Sequence, residues 1–296
     1  MSNINDYMIR AVTENGGVRA FAAITTQTVN KAFKIHHTSP VATAALGRLL
    51  TAAAMMGASL KGEKDSISLQ LTGGGPLGKV LAISDCNSNV RGYVINPQVD
   101  MPLNPDTGKL DVGGAVGRDG SLTVITDLGL KEPYVGTVPL VSGEVGDDIT
   151  SYFATSQQTP SAVGLGVLVD RDYTVKYSGG FIVQVMPDAA DEDVQKLEEN
   201  VAKITSVTNL LKDGKNAEDI LKIALDGIDF HITETRDIAY KCNCTRKRVE
   251  RALVSLGKKE LTDIINTDGK AELTCQFCDA VYNFTKDELE ELVKND

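Results

Sequence analysis

Four of the five cysteines lie within the last 55 residues of this 296-residue chain, in two closely spaced pairs. The pairs read Cys242-x-Cys244 and Cys275-x-x-Cys278. Paired thiolate ligands at this density are typical of a small tetrahedral metal module, so we predict that these four cysteines bind one Zn²⁺ per chain. A Cys-x-Cys pair is also tight enough to close as a disulfide once the metal is lost. The spacing therefore indicates a site that can be oxidised as well as filled.

Length, charge and the first residues limit the class of protein. A chain of this length exceeds the usual size of one domain, so we expect at least two units. Residues 1–6 lack a basic segment followed by an apolar one, so we expect no secretory signal and a cytoplasmic location. In the cytoplasm, clustered cysteines more often bind metal than form structural disulfides. The net charge of -10 disfavours a general nucleic-acid binder.

The first 188 residues carry mainly strand patterns. Residues 7–25 alternate apolar and polar side chains around a Gly-rich turn, which predicts a hairpin. Ser39 before Pro40 predicts the start of an Ala-rich helix over residues 40–60, buried rather than membrane-spanning because Arg48 lies within it. Seven further strands are predicted at residues 66–71, 79–84, 90–95, 122–126, 162–169, 174–177 and 181–185. We therefore predict an α+β domain with a mainly antiparallel sheet and helices over residues 1–188.

Residues 189–232 change to a helical pattern and are predicted to form a helical linker region. The apolar stripe of its first helix consists of Val194, Leu197, Val201 and Ile204. Ordinary helices docked on a neighbouring domain explain this pattern as well as any functional role does.

Residues 233–296 are predicted to form the zinc-binding domain. The pattern indicates a helix over 245–256, a strand pair around 271–284 and a closing helix that begins with a capping box of Thr285 and Glu288. A core of this size rarely contributes more than about 3–5 kcal/mol, whereas a structural zinc contributes about 10–16 kcal/mol. The metal is therefore expected to decide whether this domain folds.

Other chemistry-bearing residues favour structural roles. Residues 73–80 approach a phosphate-binding loop, but Val80 lacks the required hydroxyl and Pro76 lacks an amide donor, so we predict a tight turn. Surface or packing roles are predicted for four residues outside the cysteine pairs: Cys86, His36, His37 and His231. The sequence has no nucleophile elbow or dinucleotide fingerprint, and we predict no enzyme.

The segment of residues 241–259 is strongly basic and supports several interpretations. Its cations and the helix start near Thr245 favour thiolates, but a solvated helix face explains them equally well. The segment also prompts an alternative function, a zinc-ribbon nucleic-acid-binding protein. A thiol–disulfide oxidoreductase that uses Cys275 and Cys278 is a third hypothesis, which the lack of a thioredoxin-like strand and helix around them disfavours.

Several motifs together resemble the redox-regulated 33-kilodalton heat-shock chaperonin family of bacteria. They are residues 38–48, 71–78, 151–162 and 179–181, and Cys275-Gln276-Phe277-Cys278 followed by Tyr282 and Phe284. The resemblance extends over essentially the whole chain, and the cysteine motifs are its most specific part.

The resemblance implies an ATP-independent holdase that acts under oxidative stress. In this family the reduced, zinc-bound protein is inactive, and oxidation forms disulfides Cys242–Cys244 and Cys275–Cys278, with zinc release. The cysteine domain would then unfold, and the apolar stripe of residues 194–204 would be exposed to unfolding clients. Family members form homodimers when active and pass clients to ATP-dependent foldase chaperones for refolding; no nucleic acid or membrane partner is implied.

Overall fold

A computed structural model describes residues 5–294, apart from the side chain of Lys294. Residues 1–4, on which the expectation about a secretory signal largely rests, lie outside the described residues. The chain divides into two compact units between Lys241 and Cys242. We call the part up to Lys241 the first unit and the part from Cys242 the second unit. The sequence had suggested a boundary at residue 233. The difference arises because two strands, Phe230–Asp237 and Ala239–Tyr240, belong to the first unit.

The first unit is built from strands β1 to β11 and helices α1 to α7. The strands are β1 (Tyr7–Thr13), β2 (Val18–Ile24), β3 (Ser66–Thr72), β4 (Lys79–Asp85), β5 (Asn89–Val94), β6 (Ser121–Asp127), β7 (Tyr134–Pro139), β8 (Ser161–Val169), β9 (Val175–Val185), β10 (Phe230–Asp237) and β11 (Ala239–Tyr240). The helices are α1 (Thr26–His36), α2 (Pro40–Gly57), α3 (Val112–Val116), α4 (Gly146–Thr155), α5 (Asp191–Lys203), α6 (Val207–Lys212) and α7 (Ala217–Ala224).

These strands form two sheets in the first unit. The first sheet has the order β10-β1-β2-β9-β8, and all its neighbours are antiparallel. The second sheet has the order β11-β5-β4-β3-β6-β7 and is antiparallel except for the β11–β5 pair. The fold class is thus α+β with antiparallel sheets, as the strand patterns predicted.

Helix α2 is the centre of the main core and contacts strands of both sheets. Every residue of the helix except Pro40 and Arg48 is buried, which explains its composition of small apolar residues. A Cβ atom at Gly47 would lie only 2.7 Å from Val29 and 2.9 Å from Val167, so the close packing there requires glycine. The helix is long and apolar enough to cross a membrane, but 89% of it is buried inside the protein. The prediction of a buried helix is confirmed.

Helices α5 to α7 cover the opposite face of the first sheet. Apolar residues of β1 and β2, such as Ile9 and Ala22, pack there against Leu197 of α5 and Ile220 of α7 in a second core. The sequence predicted helices in this region, and its pattern allowed a docked arrangement. In the described structure these helices are part of the first unit.

The second unit contains a two-stranded sheet and three helices. They are α8 (Arg246–Val254), α9 (Lys258–Thr267), β12 (Lys270–Thr274), β13 (Val281–Thr285) and α10 (Lys286–Lys294). Its core is small, and five apolar side chains are buried in its described part: Leu253, Leu261, Ile265, Phe284 and Leu289. At the start of α10, the Thr285 amide donates to Glu288 (2.9 Å) and the Glu288 amide donates to the Thr285 hydroxyl (3.4 Å), so the predicted capping box is confirmed.

Candidate metal centre

The four clustered cysteines lie in two short segments of the second unit. Cys242 and Cys244 directly precede helix α8, whose first turn is capped by the Thr245 hydroxyl, an acceptor for the Arg248 amide (3.3 Å). Cys275 and Cys278 lie in the turn between β12 and β13, where the Cys275 carbonyl accepts hydrogen bonds from the amides of Cys278 and Asp279. A helix cap and a tight turn therefore fix the two pairs locally.

The turn and the α8 cap bring all four thiols together. Their Sγ atoms lie within 4.8 Å of one another, with separations of 3.7 Å for Cys242–Cys275 and 3.3 Å for Cys244–Cys278. A tetrahedral ion with metal–sulfur bonds of about 2.3 Å requires sulfur separations of about 3.8 Å. All five cysteines are free thiols, and these four are partly exposed. Donor set and geometry thus fit a metal ion held by four thiolates.

Tyr282 of β13 adds a hydrogen bond to this cluster. Its hydroxyl donates to the Cys244 sulfur at 3.2 Å. Burial alone would raise the pKa of Cys244, but hydrogen bonds led by the one from Tyr282 outweigh it and lower that pKa to about 7. The same hydrogen bond raises the pKa of Tyr282 to about 12. The negative charge of the cluster is therefore favoured at Cys244.

Two other thiols resist ionisation in the absence of a metal. Burial raises the pKa of Cys242, and it also raises the pKa of Cys278, which donates towards the Cys244 sulfur. A metal ion must therefore displace protons from these two thiols when it binds.

Arg246, one of the cations of the basic segment, is used inside the second unit. Its guanidinium lies 4.3 Å from the centre of the Phe284 ring, forms a 2.7 Å ion pair with Glu288 and lies 3.5 Å from Glu250. The side chain thereby joins α8 to β13 and α10. This packing accounts for Arg246 without a nucleic-acid ligand.

The other reactive residues singled out in the sequence lie in the first unit and are absent from the four-cysteine group. Cys86 is a buried free thiol, His37 ends α1, His36 contacts the Tyr240 hydroxyl at 3.0 Å, and His231 pairs with Glu14 at 2.9 Å. Residues 73–78 form a turn between β3 and β4, as predicted. The structure therefore places these residues in the first unit and outside the group of four cysteines.

The apolar stripe of the first linker helix faces protein in this structure. Leu197 is 4% exposed, Val201 and Ile204 pack against the second core, and Val194 is partly buried. Ile204 lies just beyond the end of α5. Binding of a client by this stripe would therefore require α5 to move away from the sheet.

Sequence reasoning missed the roles of Tyr282 and Arg246. The signal for Tyr282 was the aromatic alternation of Tyr282 and Phe284 after the second cysteine pair. Its direction towards Cys244, however, depends on the pairing of Tyr282 with Leu273 across the β12–β13 ladder. Local spacing does not contain that information.

Fold and site together define a protein with an α+β first unit and a small four-cysteine module that can hold a metal ion. The family described as Hsp33 protein matches residues 6–285. Curated relatives named 33 kDa chaperonin include that of Clostridioides difficile strain 630, which is 53% identical over an alignment that covers 98% of this chain and 99% of the relative. The 33 kDa chaperonin of Alkaliphilus metalliredigens strain QYMF is 51% identical, and its alignment covers 97% of this chain and 98% of the relative.

A solved structure shows the same architecture. The crystal structure of the 33 kDa chaperonin from Thermotoga maritima matches with a TM-score of 0.90 and 40% identity, over 99% of each chain. The present chain belongs to the Hsp33 protein family. This membership supports a chaperone function.

Proposed function

We propose that this protein is a redox-regulated, ATP-independent holdase, inactive while reduced and metal-bound and active after oxidation. The observation that carries the proposal is the cluster of four thiol sulfurs within 4.8 Å in a unit whose core has only five buried apolar side chains among its described residues. We infer that the bound ion is one Zn²⁺, because four thiolates in a tetrahedral arrangement favour it. When bound, zinc would supply a cross-link between the two cysteine pairs.

The proposed oxidation converts each cysteine pair to a disulfide, Cys242 with Cys244 and Cys275 with Cys278. A peroxide oxidises one thiol of a pair to a sulfenic acid and leaves water, and the second thiol then displaces water to form the disulfide. Two peroxide molecules are thus consumed per chain. Because all four thiolates are used up, the second unit loses its metal cross-link and about 10 kcal/mol or more of folding free energy.

The consequence proposed for the first unit is exposure of the apolar stripe Val194, Leu197, Val201 and Ile204. This stripe is the proposed surface for unfolding client proteins, because exposed apolar area of this kind binds other apolar chains. We further propose a cytoplasmic location, a homodimer in the active state, and transfer of clients to ATP-dependent foldase chaperones. Relatives named chaperonins agree with a binding protein rather than an enzyme.

Client aggregation tests the proposed function. The zinc-loaded protein is treated with peroxide at mildly raised temperature, and light scattering of a chemically denatured client is followed after dilution. We expect suppression by the oxidised protein and little by the reduced protein. Equal suppression by both forms, or none by either, would contradict the proposal.

Tryptic peptides test the disulfide pairing. The test matters because close sulfur contacts also join one pair to the other, at 3.7 Å for Cys242–Cys275 and 3.3 Å for Cys244–Cys278. Cleavage after Lys241 and Arg246 leaves Cys242 and Cys244 in one peptide, and cleavage after Lys270 and Lys286 leaves the other pair in a second peptide. Pairing as proposed gives two separate peptides, each two hydrogen atoms lighter than its reduced form. Peptides joined by disulfides would show that the pairing is crossed.

A further inference from the structure

A cavity of about 380 Å³ lies beside the C-terminal end of α2, between strands of the two sheets of the first unit. Its walls are mainly apolar and include Phe21, Met55, Met56, Ile67 and Ile182. Cavities of this size bind small organic molecules, and flexible methionine side chains can adapt to their shape. The cavity is built by residues of the first unit alone.

One arginine lines this cavity and is held in a fixed position. The Nε and Nη2 atoms of Arg19 both donate to Oε1 of Gln184, at 3.1 and 2.7 Å. Gln184 is itself only 4% exposed. The guanidinium also lies 5.7 Å from the centre of the Phe21 ring. Among the described residues no acceptor is bound to its Nη1 group, and a pre-oriented guanidinium with such a group is suited to bind an anion.

Arg19 has no carboxylate partner within the described residues. A second cation, Arg10, lies over the same Phe21 ring at 5.9 Å, and its buried Nε atom has no hydrogen-bond acceptor among the described residues. Burial, and then the charge of Arg10, lower the pKa of Arg19. Glu234, opposite Arg10 in the β1–β10 ladder, forms an ion pair with Arg236 instead. Within the part of the chain that the structure describes, the two arginines thus form a partly buried pair of like charges, and neither makes an ion pair.

We propose that the cavity binds a small amphipathic carboxylate, with the carboxylate on Arg19 and an apolar group between Met55 and Met56. Arginine matches the planar geometry of a carboxylate, and an anion there would offset the repulsion between Arg19 and Arg10. A multiply charged phosphate fits less well, because Lys61, the other cation lining the cavity, is exposed, and because the carboxylate of Asp65 also lines the cavity and would repel the added negative charge. The proposal is independent of the cysteine cluster.

The test uses the full-length reduced protein and 5-phenylpentanoate, with 5-phenylpentan-1-ol as the uncharged probe of the same tail. Binding is measured by titration calorimetry and by NMR of ¹³C-methyl-labelled methionines. We expect the carboxylate to shift the methyl signals of Met55 and Met56 and to bind at least about tenfold more tightly than the alcohol, since hydrogen bonds to a charged group are strong.

Three variants locate the site. Arg19→Gln is expected to lower the affinity for 5-phenylpentanoate at least about tenfold, while Arg171→Gln, on an exposed loop outside the cavity, leaves it unchanged. Ser59→Phe places a ring at the exposed rim of the cavity and is expected to block binding while the core of the protein stays intact. This variant tests whether the cavity is the binding site even if the Arg19→Gln protein does not fold.

The proposal is overturned by any of four results. They are equal affinities for the acid and the alcohol, shifts at other methionines with Met55 and Met56 unchanged, undiminished binding by a folded Arg19→Gln protein, and undiminished binding by the Ser59→Phe protein.

Discussion

Tyr282 illustrates how much of the metal centre depends on a residue that is not a ligand. Its hydroxyl donates to the sulfur of Cys244, and the pairing of β12 with β13 holds it in place. Hydrogen bonds from such outer partners orient the ligands of a metal and commonly change its affinity 10- to 100-fold. The hydrogen bond is therefore expected to strengthen metal binding.

Replacement Tyr282→Phe removes that hydroxyl and keeps the ring. We expect the metal affinity of the reduced protein to fall roughly tenfold, measured by competition with a chromogenic zinc chelator. Tyr134→Phe is the matched control, because Tyr134 is an exposed tyrosine of the first unit. An unchanged affinity of the Tyr282→Phe protein would show that the hydrogen bond does not support the site.

At the scale of residues, the sequence predicted the four cysteines as one site, because two pairs of closely spaced thiols together supply the four ligands of a tetrahedral zinc ion. The contributions of Tyr282 and Arg246 were not predictable in this way. Each depends on contacts between segments more than 35 residues apart, as in the Arg246–Glu288 ion pair, which the sequence pattern does not encode.

At the scale of elements, α2 shows a helix specified by local signals. The Ser39 hydroxyl accepts a hydrogen bond from the Ala42 amide at 3.3 Å, and Pro40 occupies the first turn. Because this helix contacts strands of both sheets, its N-terminal cap stabilises the whole first unit.

Replacement Ser39→Ala removes this cap and is expected to lower the free energy of unfolding of the first unit by about 1 kcal/mol. Denaturant titration followed by circular dichroism measures the change. Ser59→Ala, just beyond the C-terminal end of α2 and exposed, serves as the control and should leave the midpoint unchanged. A Ser39→Ala protein as stable as its parent would mean that another group caps the helix.

Helix α5 is the element whose displacement would expose the proposed client surface. Leu197 is its most buried apolar residue, and replacing such a leucine by alanine costs about 2–5 kcal/mol. In the Leu197→Ala protein, we expect faster hydrogen exchange over residues 191–203 and measurable suppression of client aggregation without oxidation.

Glu198→Ala is the matched control, since Glu198 is the adjacent, exposed residue of the same helix. It should change neither hydrogen exchange nor client aggregation. Faster exchange in the Leu197→Ala protein without any gain in client binding would place the client surface elsewhere.

The elements that sequence reasoning missed lack local signals. Helix α1 has many β-branched and polar residues and no side-chain cap at Thr25, and α4 begins after Val145 with a positive φ of 65°. Strand β10 has no buried residue and is defined by its pairing with β1, more than 200 residues away. By contrast, the β1–β2 hairpin and α2 carry turn and cap residues in their own segments and were predicted.

At the scale of the whole molecule, the two units differ in how they are stabilised. The first unit has two extensive apolar cores, whereas the second has a small core beside its cysteine cluster. We therefore expect a zinc chelator under reducing conditions to unfold the second unit while the sheets of the first unit persist. Hydrogen exchange with mass spectrometry would then show loss of protection over residues 242–294 and retained protection in β1, β2 and β9. Retained protection in the second unit would show that it folds without metal.

The central claim is that metal binding and thiol oxidation exclude each other at the four cysteines. One measurement tests it directly: zinc content and free thiols are counted on the same denatured samples before and after peroxide treatment. We predict one zinc and five thiols per chain before oxidation, and no zinc and a single thiol, Cys86, afterwards. Oxidised protein that has lost four thiols and still retains its zinc would contradict the account.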